Sequence, residues 1–221
     1  MKYNQIYKNK NVWGNQPNEL LQKIYEHLKA GSYFLDLGCG QGRDSLFMLR
    51  KGFKVDAIDN SQEGINKIKK FVQSNNLPVV NINLFCSDIR NFNILKNKYD
   101  IINAFNSLQF LPKKEALKII INIKSNIKNN GHVIISGFTT NDPLYKKMNN
   151  DKRCFFEPQE LKKIFFDFHV IEYKEKIIED KGHPGSPEPH QHGIVKIIAQ
   201  KIKIAPNNVL LRKTKTFNYI R

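Results

Sequence analysis

Short apolar runs alternate along the chain with stretches whose apolar residues recur every three or four positions, the pattern of βαβ units around a parallel sheet. Tyr33–Leu37 reads as the first buried strand and Phe53–Ile58 as the second; Val79–Phe85, Tyr99–Phe105 and His132–Phe138 supply three more. A helix is predicted from Pro17 to about Lys29, with Leu20, Leu21, Ile24 and Leu28 on one face. Others are expected over Asp44–Lys51, closed by Gly52, from a Ser61 cap to about Gln73, and over Lys113–Lys128. After Asn141-Asp142-Pro143 a mobile-looking polar stretch leads to a helix from near Glu157-Pro158 to near Phe166. Phe168–Ile178 and Ile194–Lys201 form a closing pair of strands, joined by a loop of fifteen residues, Glu179–Gly193, rich in proline and histidine. The expected organisation is one α/β domain over residues 1–201, its first 31 residues a helix and lid, with a basic extension over 202–221.

A length of 221 residues suits one such domain, and 40% hydrophobic residues suit a folded chain rather than a disordered one. No apolar run approaches the roughly 18–20 residues that cross a bilayer, and the first residues lack the apolar stretch of a secretory signal. Cys39, Cys86 and Cys154 are scattered and odd in number, which points to a reducing cytoplasm. The net charge of +16 has two readings. Lysines neutralise phosphates, so a nucleic-acid partner is one. Composition is the other and is favoured: lysine outnumbers arginine 30 to 6, whereas bidentate recognition of phosphate or guanine uses arginine.

The candidate chemistry begins where the first strand runs into Gly38-Cys39-Gly40-Gln41-Gly42. Glycines between a strand and a helix allow a tight turn and let a ligand touch the main chain. The dinucleotide fingerprint needs a glycine at position 43, where this chain has Arg43, and no phosphate-cradling G-x-x-x-x-G-K-[ST] occurs. Two acids sharpen the reading. Asp59 closes the second strand, placed to accept from both hydroxyls of a ribose, and Asp88 follows the third, where it can accept from an adenine amino group while Ile89 packs on the ring.

Leu35-Asp36-Leu37-Gly38-Cys39-Gly40-Gln41-Gly42 resembles the first motif of the class I S-adenosylmethionine-dependent methyltransferases. Val55-Asp56-Ala57-Ile58-Asp59, Ser87-Asp88-Ile89 and Tyr99-Asp100-Ile101-Ile102 are similar to that family's later motifs, in its order. The resemblance covers roughly residues 10–201 and implies a Rossmann-like, mainly parallel seven-stranded sheet with helices on both faces and an antiparallel last strand. It also implies S-adenosylmethionine as cofactor. Gly38, Gly40 and Gly42 would hold the methionine end, Asp36 its amino group, and Asp59 with its neighbour Asn60 the ribose. Asp88 and Ile89 would take the adenine, and Ala104 would line the pocket beneath the sulfonium.

Trp13-Gly14 with Pro17, followed by Gly40-Gln41-Gly42-Arg43-Asp44-Ser45-Leu46, resembles the TehB-like branch, named for tellurite resistance and similar to thiopurine-type enzymes. Trp13 then either anchors a lid over the cofactor crevice or staples the N-terminal helix to the core, and Phe138 joins it on the substrate side. Arg43 is either a substrate-facing cation or a salt-bridged helix residue. The branch carries a Glu-x-His-Arg element near its last strands; this chain has no such arginine and has His183, His190 and His192 in a proline-rich loop. His190 and His192 fall on one face of an extended segment, where one can act as general base. A site with His183 is the metal alternative, but without a nearby carboxylate or cysteine partner no metal is expected. A solvent-exposed loop without a chemical role is the other alternative.

The implied reaction is in-line displacement on an already activated methyl group, so the protein mainly positions and desolvates, with orientation supplying on the order of 7–11 kcal/mol. A small-molecule acceptor is favoured because the chain adds no recognition domain. A nucleic-acid substrate would call for an aromatic clamp after the fourth strand, where Asn106-Ser107-Leu108-Gln109 stands instead. A non-catalytic cofactor-binding subunit is the third alternative.

Overall fold

The central apolar runs become adjacent strands because they are buried on both faces, as parallel sheets covered by helices require. The computed structural model describes residues 2–9, 11–12, 14–147, 152–183 and 186–202. Its strands are β1 (Tyr33–Leu37), β2 (Lys54–Asp59), β3 (Ile82–Cys86), β4 (Ile101–Phe105), β5 (His132–Thr139), β6 (Phe155–Phe156), β7 (His169–Asp180) and β8 (His190–Gln200). The sheet order is β3-β2-β1-β4-β5-β8-β7, with the two-residue β6 pairing against β5. Every neighbouring pair is parallel except those made by β8, which runs antiparallel to both β5 and β7. This is the Rossmann-like methyltransferase fold, with seven strands along the main path and the last strand reversed.

The helices are α1 (Lys2–Asn9), α2 (Glu19–Ile24), α3 (Arg43–Arg50), α4 (Gln62–Ser74), α5 (Lys113–Asn126), α6 (Pro143–Lys147) and α7 (Glu160–Ile164). Strand alternation sorts the side chains into two cores. Leu35, Leu37, Ile102 and Ala104 pack with Ala116, Ile120 and Ile123 of α5 on one face. Phe34, Val55, Ala57 and Ile101 meet Leu21 of α2, Met48 and Leu49 of α3 and Ile68 of α4 on the other. Asp36 and Asn103 lie on that second face as register partners of β1 and β4, and both are buried. Period two thus carries a carboxylate into an otherwise apolar layer.

Several elements depart from the sequence pattern. The predicted strand at Val79 begins as a 3-10 turn over Val79–Asn81, and pairing starts at Ile82. The helix expected to Lys29 gives way at Tyr25 to a single 3-10 turn. The stretch after Asp142 that looked mobile opens with α6. The largest correction concerns the closing pair. The β7–β8 ladder continues through Ile178↔His192 and Asp180↔His190, so His190 and His192 belong to a strand and the connection shrinks to residues 181–189. His190-Gln191-His192 is polar on both faces of the ribbon, and such a run imitates a loop in sequence. Trp13 and residues 203–221 lie outside the described residues, so the lid anchor and all but the first residue of the basic extension are not placed. Among the described residues no helix is long and apolar enough to cross a membrane.

Candidate active site

A cleft of about 570 Å³ opens at the carboxyl ends of β1, β2 and β4 and reaches across to the β7–β8 hairpin. Its size falls within the range of small-molecule sites. Asp36, Gly38, Gly40, Arg43, Asp59, Asn60, Asp88 and Ile89 line one side; Phe138, His190 and His192 line the other.

The glycine turn is held by main-chain bonds. The Gly38 and Cys39 N–H groups both donate to the Ile58 carbonyl, at 2.8 and 2.9 Å, which ties the turn to β2. Gly38 has φ +79°, and a Cβ built there would overlap Ser107, so only glycine fits. Asp59 at the end of β2 accepts from the Gly40 N–H through Oδ2 and from the Ser61 N–H through Oδ1, both at 2.8 Å. Burial raises its pKa and those two bonds oppose the rise. Gly42 has a different task from the one expected. It caps α3 in the left-handed region, and a Cβ there would come 2.5 Å from Ile68 Cγ1, so it brings α3 against α4 instead of lining the cleft. Ala104 is likewise buried in the α5-side core, and Phe105, Asn106 and Ser107 form the wall at that point.

Beneath the turn sits a polar network that the sequence showed only in part. Asp36 accepts from Ser45 Oγ at 2.6 Å and from Asn103 Nδ2 at 2.9 Å. The same Asn103 amide reaches Asp44 Oδ2 at 3.2 Å, and Asn18 donates to Asp44 from its main chain and its side chain, each at 2.8 Å. Burial, with the neighbouring Asp44 adding to it, pushes Asp36 up to about 7. Two carboxyl groups thus share one cleft floor. Ser107 Oγ and Gln109 Oε1, both on the cleft wall, are buried without a hydrogen-bond partner, as suits a wall that receives a polar ligand.

Arg43 settles on the helix side of its two readings while still facing the cleft: Nε and Nη2 donate to Asp44 at 3.1 and 3.3 Å, and the guanidinium lies 5.5 Å from the Phe105 ring centre. Asp88 lines the cleft, but its carboxylate is taken by Arg90, whose Nε and Nη2 donate at 2.9 and 2.6 Å and lower its pKa. An adenine amino group would share it with that arginine. From above, α1 brings Tyr3 and Tyr7 into the cleft, with Tyr7 against Gly40. Asn4 fastens α1 to the start of α4 by accepting from Ser61 Oγ and the Glu63 N–H.

On the hairpin side, Phe138 stacks on His192 with ring centres 4.5 Å apart. His192 Nδ1 bonds Asp142 Oδ2 at 2.8 Å, and His190 Nδ1 bonds the Glu188 carbonyl at 2.7 Å. Asp142 is wholly occupied, accepting also from the Gly193 and Leu144 N–H groups. The expectation that these histidines have no carboxylate nearby was therefore wrong. Asp142 comes from fifty residues earlier, and Asp180 stands opposite His190 in the ladder. A partner fifty residues away gives no spacing signal, whereas Asp180 stands only three residues before His183.

The profile of the tellurite resistance protein TehB family matches residues 2–183, most of the chain. This chain belongs to the TehB family. A probable S-adenosyl-L-methionine-dependent methyltransferase TehB from Haemophilus influenzae is 32% identical over 149 residues, which are 66% of this chain and 49% of that protein. A carboxy-S-adenosyl-L-methionine synthase from Haemophilus ducreyi is 30% identical over 112 residues, 48% of this chain and 44% of the other. The chain thus spans about half the length of the curated relatives it matches. The crystal structure of TehB from Haemophilus influenzae superimposes with a TM-score of 0.70 at 25% identity, covering 83% of this chain and 62% of that one. The match to the TehB family stops short of His190 and His192, so their part in the site rests on the geometry given above.

Proposed function

We propose that this TehB-family chain is an S-adenosylmethionine-dependent methyltransferase whose acceptor is a small nucleophile such as a thiol, a chalcogen oxyanion or a metabolite. One observation carries the reading: the glycine turn, the Asp36–Asp44 pair, Asp59 and Asp88 with Ile89 all line one cleft, following three strands that are neighbours in the sheet. Asp36 and Asp44 would seat the ammonium of the methionine end, Asp59 the ribose hydroxyls, and Ile89 the adenine ring. The unpartnered Ser107 Oγ and Gln109 Oε1 fit a polar ligand passing over them.

The cofactor supplies a methyl group already activated by the positive sulfur, so the chain's residues have to align and dehydrate. Tyr3 and Tyr7 cover the glycine turn, and Phe138 with the half-buried hairpin closes the opposite side. These groups exclude water from the reacting atoms. His190 and His192 face the acceptor's end, where an imidazole lone pair takes the proton of a nucleophile that arrives protonated. A small acceptor is favoured over a nucleic acid because Asn106-Ser107-Leu108-Gln109, after β4, supplies no aromatic clamp for a base. The free cysteines Cys39, Cys86 and Cys154 suit a reducing cytoplasm.

The test is calorimetric titration with S-adenosylmethionine and S-adenosylhomocysteine, in wild type and Asp59→Ala. Binding is expected in the wild type, at least tenfold weaker in the variant. No binding to the wild type would overturn the reading, and an unchanged affinity in the variant would remove Asp59 from the site.

A further inference from the structure

Four side chains at the hairpin end of the cleft converge in a way that a single acid–base role leaves unexplained. Asp180, His183, His190 and His192 each present one donor atom, and these atoms all lie within 4.8 Å of one another. The hydrogen bonds fix the tautomers of two of the imidazoles. A main-chain carbonyl only accepts, so His190 Nδ1, 2.7 Å from the Glu188 oxygen, carries a hydrogen. Asp142 accepts two main-chain N–H bonds as a carboxylate, so His192 Nδ1, facing it at 2.8 Å, carries one too. In the neutral rings both Nε2 atoms are then lone pairs, and they point at each other across 2.9 Å. Two lone pairs at that distance repel unless something positive sits between or beside them.

We propose that this group binds a divalent transition-metal ion of the zinc class through His183, His190, His192 and Asp180. Three imidazoles and a carboxylate without sulfur are the donor set of such ions, softer than magnesium or calcium sites and harder than copper(I) sites. Ligand atoms of a tetrahedral zinc site stand about 3.3 Å apart, as follows from zinc–nitrogen distances of about 2.0–2.1 Å. To reach that geometry the two Nε2 atoms spread by a few tenths of an ångström, and the wider pairs, at most 4.8 Å apart, close in. The outer partners are those of a built site: His192 is backed by a buried carboxylate and His190 by a carbonyl. Asp180 is steadied in turn, because the Gly182 N–H donates to its Oδ1 at 2.8 Å and leaves Oδ2 available. Gly182, at φ +102°, passes so close to the Pro187 carbonyl that no side chain fits there, and reciprocal main-chain bonds between His183 and Ser186 close the bend.

The purpose of the ion, though not its binding, rests on the methyltransferase reading. A metal on these nitrogens takes the place of the proton they would otherwise accept. It would hold a thiol or chalcogen acceptor as its anion, in place of the Asp180 carboxylate or as a fifth ligand, with the acceptor's proton released to solvent.

The experiment uses the whole chain, untagged and stripped with chelator, titrated with zinc chloride and separately with cobalt chloride. One equivalent of zinc is expected to bind with a micromolar or tighter Kd, and cobalt to give the intense visible bands of a tetrahedral site. His183→Ala and His190→Ala should each weaken zinc at least 30-fold, and Asp180→Asn should weaken it several-fold. Gln191→Ala, on the alternate side of the strand, should leave it unchanged. Circular dichroism confirms that each variant is folded. Absence of saturable binding in the wild type, or full retention in both histidine variants, would overturn the proposal. Titration of the same samples with S-adenosylhomocysteine separates the two readings: zinc binding without it sinks the cofactor reading alone, and the reverse sinks the metal site alone.

Discussion

The two walls of the cleft are made in different ways. The glycine-turn wall is main chain: N–H groups of residues 38, 39, 40 and 61 fix the bend and orient Asp59. The hairpin wall is side chain, with imidazoles set by Asp142 and by a strand that runs against the rest of the sheet. A main-chain wall tolerates change in most side chains but not in its glycines. A side-chain wall can be rewritten residue by residue without disturbing the fold. Among the relatives, a methyltransferase and a carboxy-S-adenosyl-L-methionine synthase both align with part of this chain.

The comparison is broken most sharply at Gly38. Gly38→Val should abolish cofactor-analogue binding, a loss of at least 100-fold by calorimetry, because its Cβ overlaps Ser107 and its φ is strained. A variant that still binds would show that the turn is not held as described. On the opposite wall, Asp142→Ala frees the His192 ring and should lower turnover of a thiol or tellurite acceptor at least tenfold. S-adenosylhomocysteine affinity should stay within twofold, and loss of both together would mean that the walls are not independent. His192→Ala should separate the two measurements in the same way.

A smaller effect comes from the buried pair. Burial and Asp44 disfavour the charge of Asp36 and push it up to about 7, so below that pH it is mainly neutral until a cation binds beside it. An ammonium needs the carboxylate, so affinity for S-adenosylhomocysteine should rise as pH climbs through 7 and fall as it drops. Asp36→Asn should flatten that curve between pH 6 and 8 and weaken binding several-fold at pH 8, measured by titration in matched buffers. The smallest effect is expected at Asn4. Asn4→Ala removes two bonds between α1 and α4, costing roughly 1–2 kcal/mol at most. It should loosen ligand binding a few-fold without altering the melting of the sheet.

How much of this was legible in the sequence follows the same division. Tyr33–Leu37 is the observed first strand, and Ser61 caps α4 through the Gly64 N–H, because local patterns decide both. The acids at the strand ends were legible because topology brings successive tips to one crevice. Asp44 was not: in sequence it is an ordinary acid in a helix's first turn, and only the Asp36–Asn103 register shows it as half of a buried pair. Nor was α1, whose Tyr3 and Tyr7 enter the cleft while Trp13 drew attention by its size. The hairpin was misread because His190-Gln191-His192 is polar at every position. What makes it a strand is pairing with Glu179 and its neighbours, a partnership that no single segment carries.

Gly193 gives the hairpin a last consequence. A side chain at this position would strike the Asp142 main chain, at 2.6 Å, and Thr139, so β8 lies flush against the end of β5. His192 is therefore mounted on a member as stiff as the sheet itself. Its freedom was surrendered when the chain folded, and a molecule arriving from solution meets an imidazole that has no further disorder to lose.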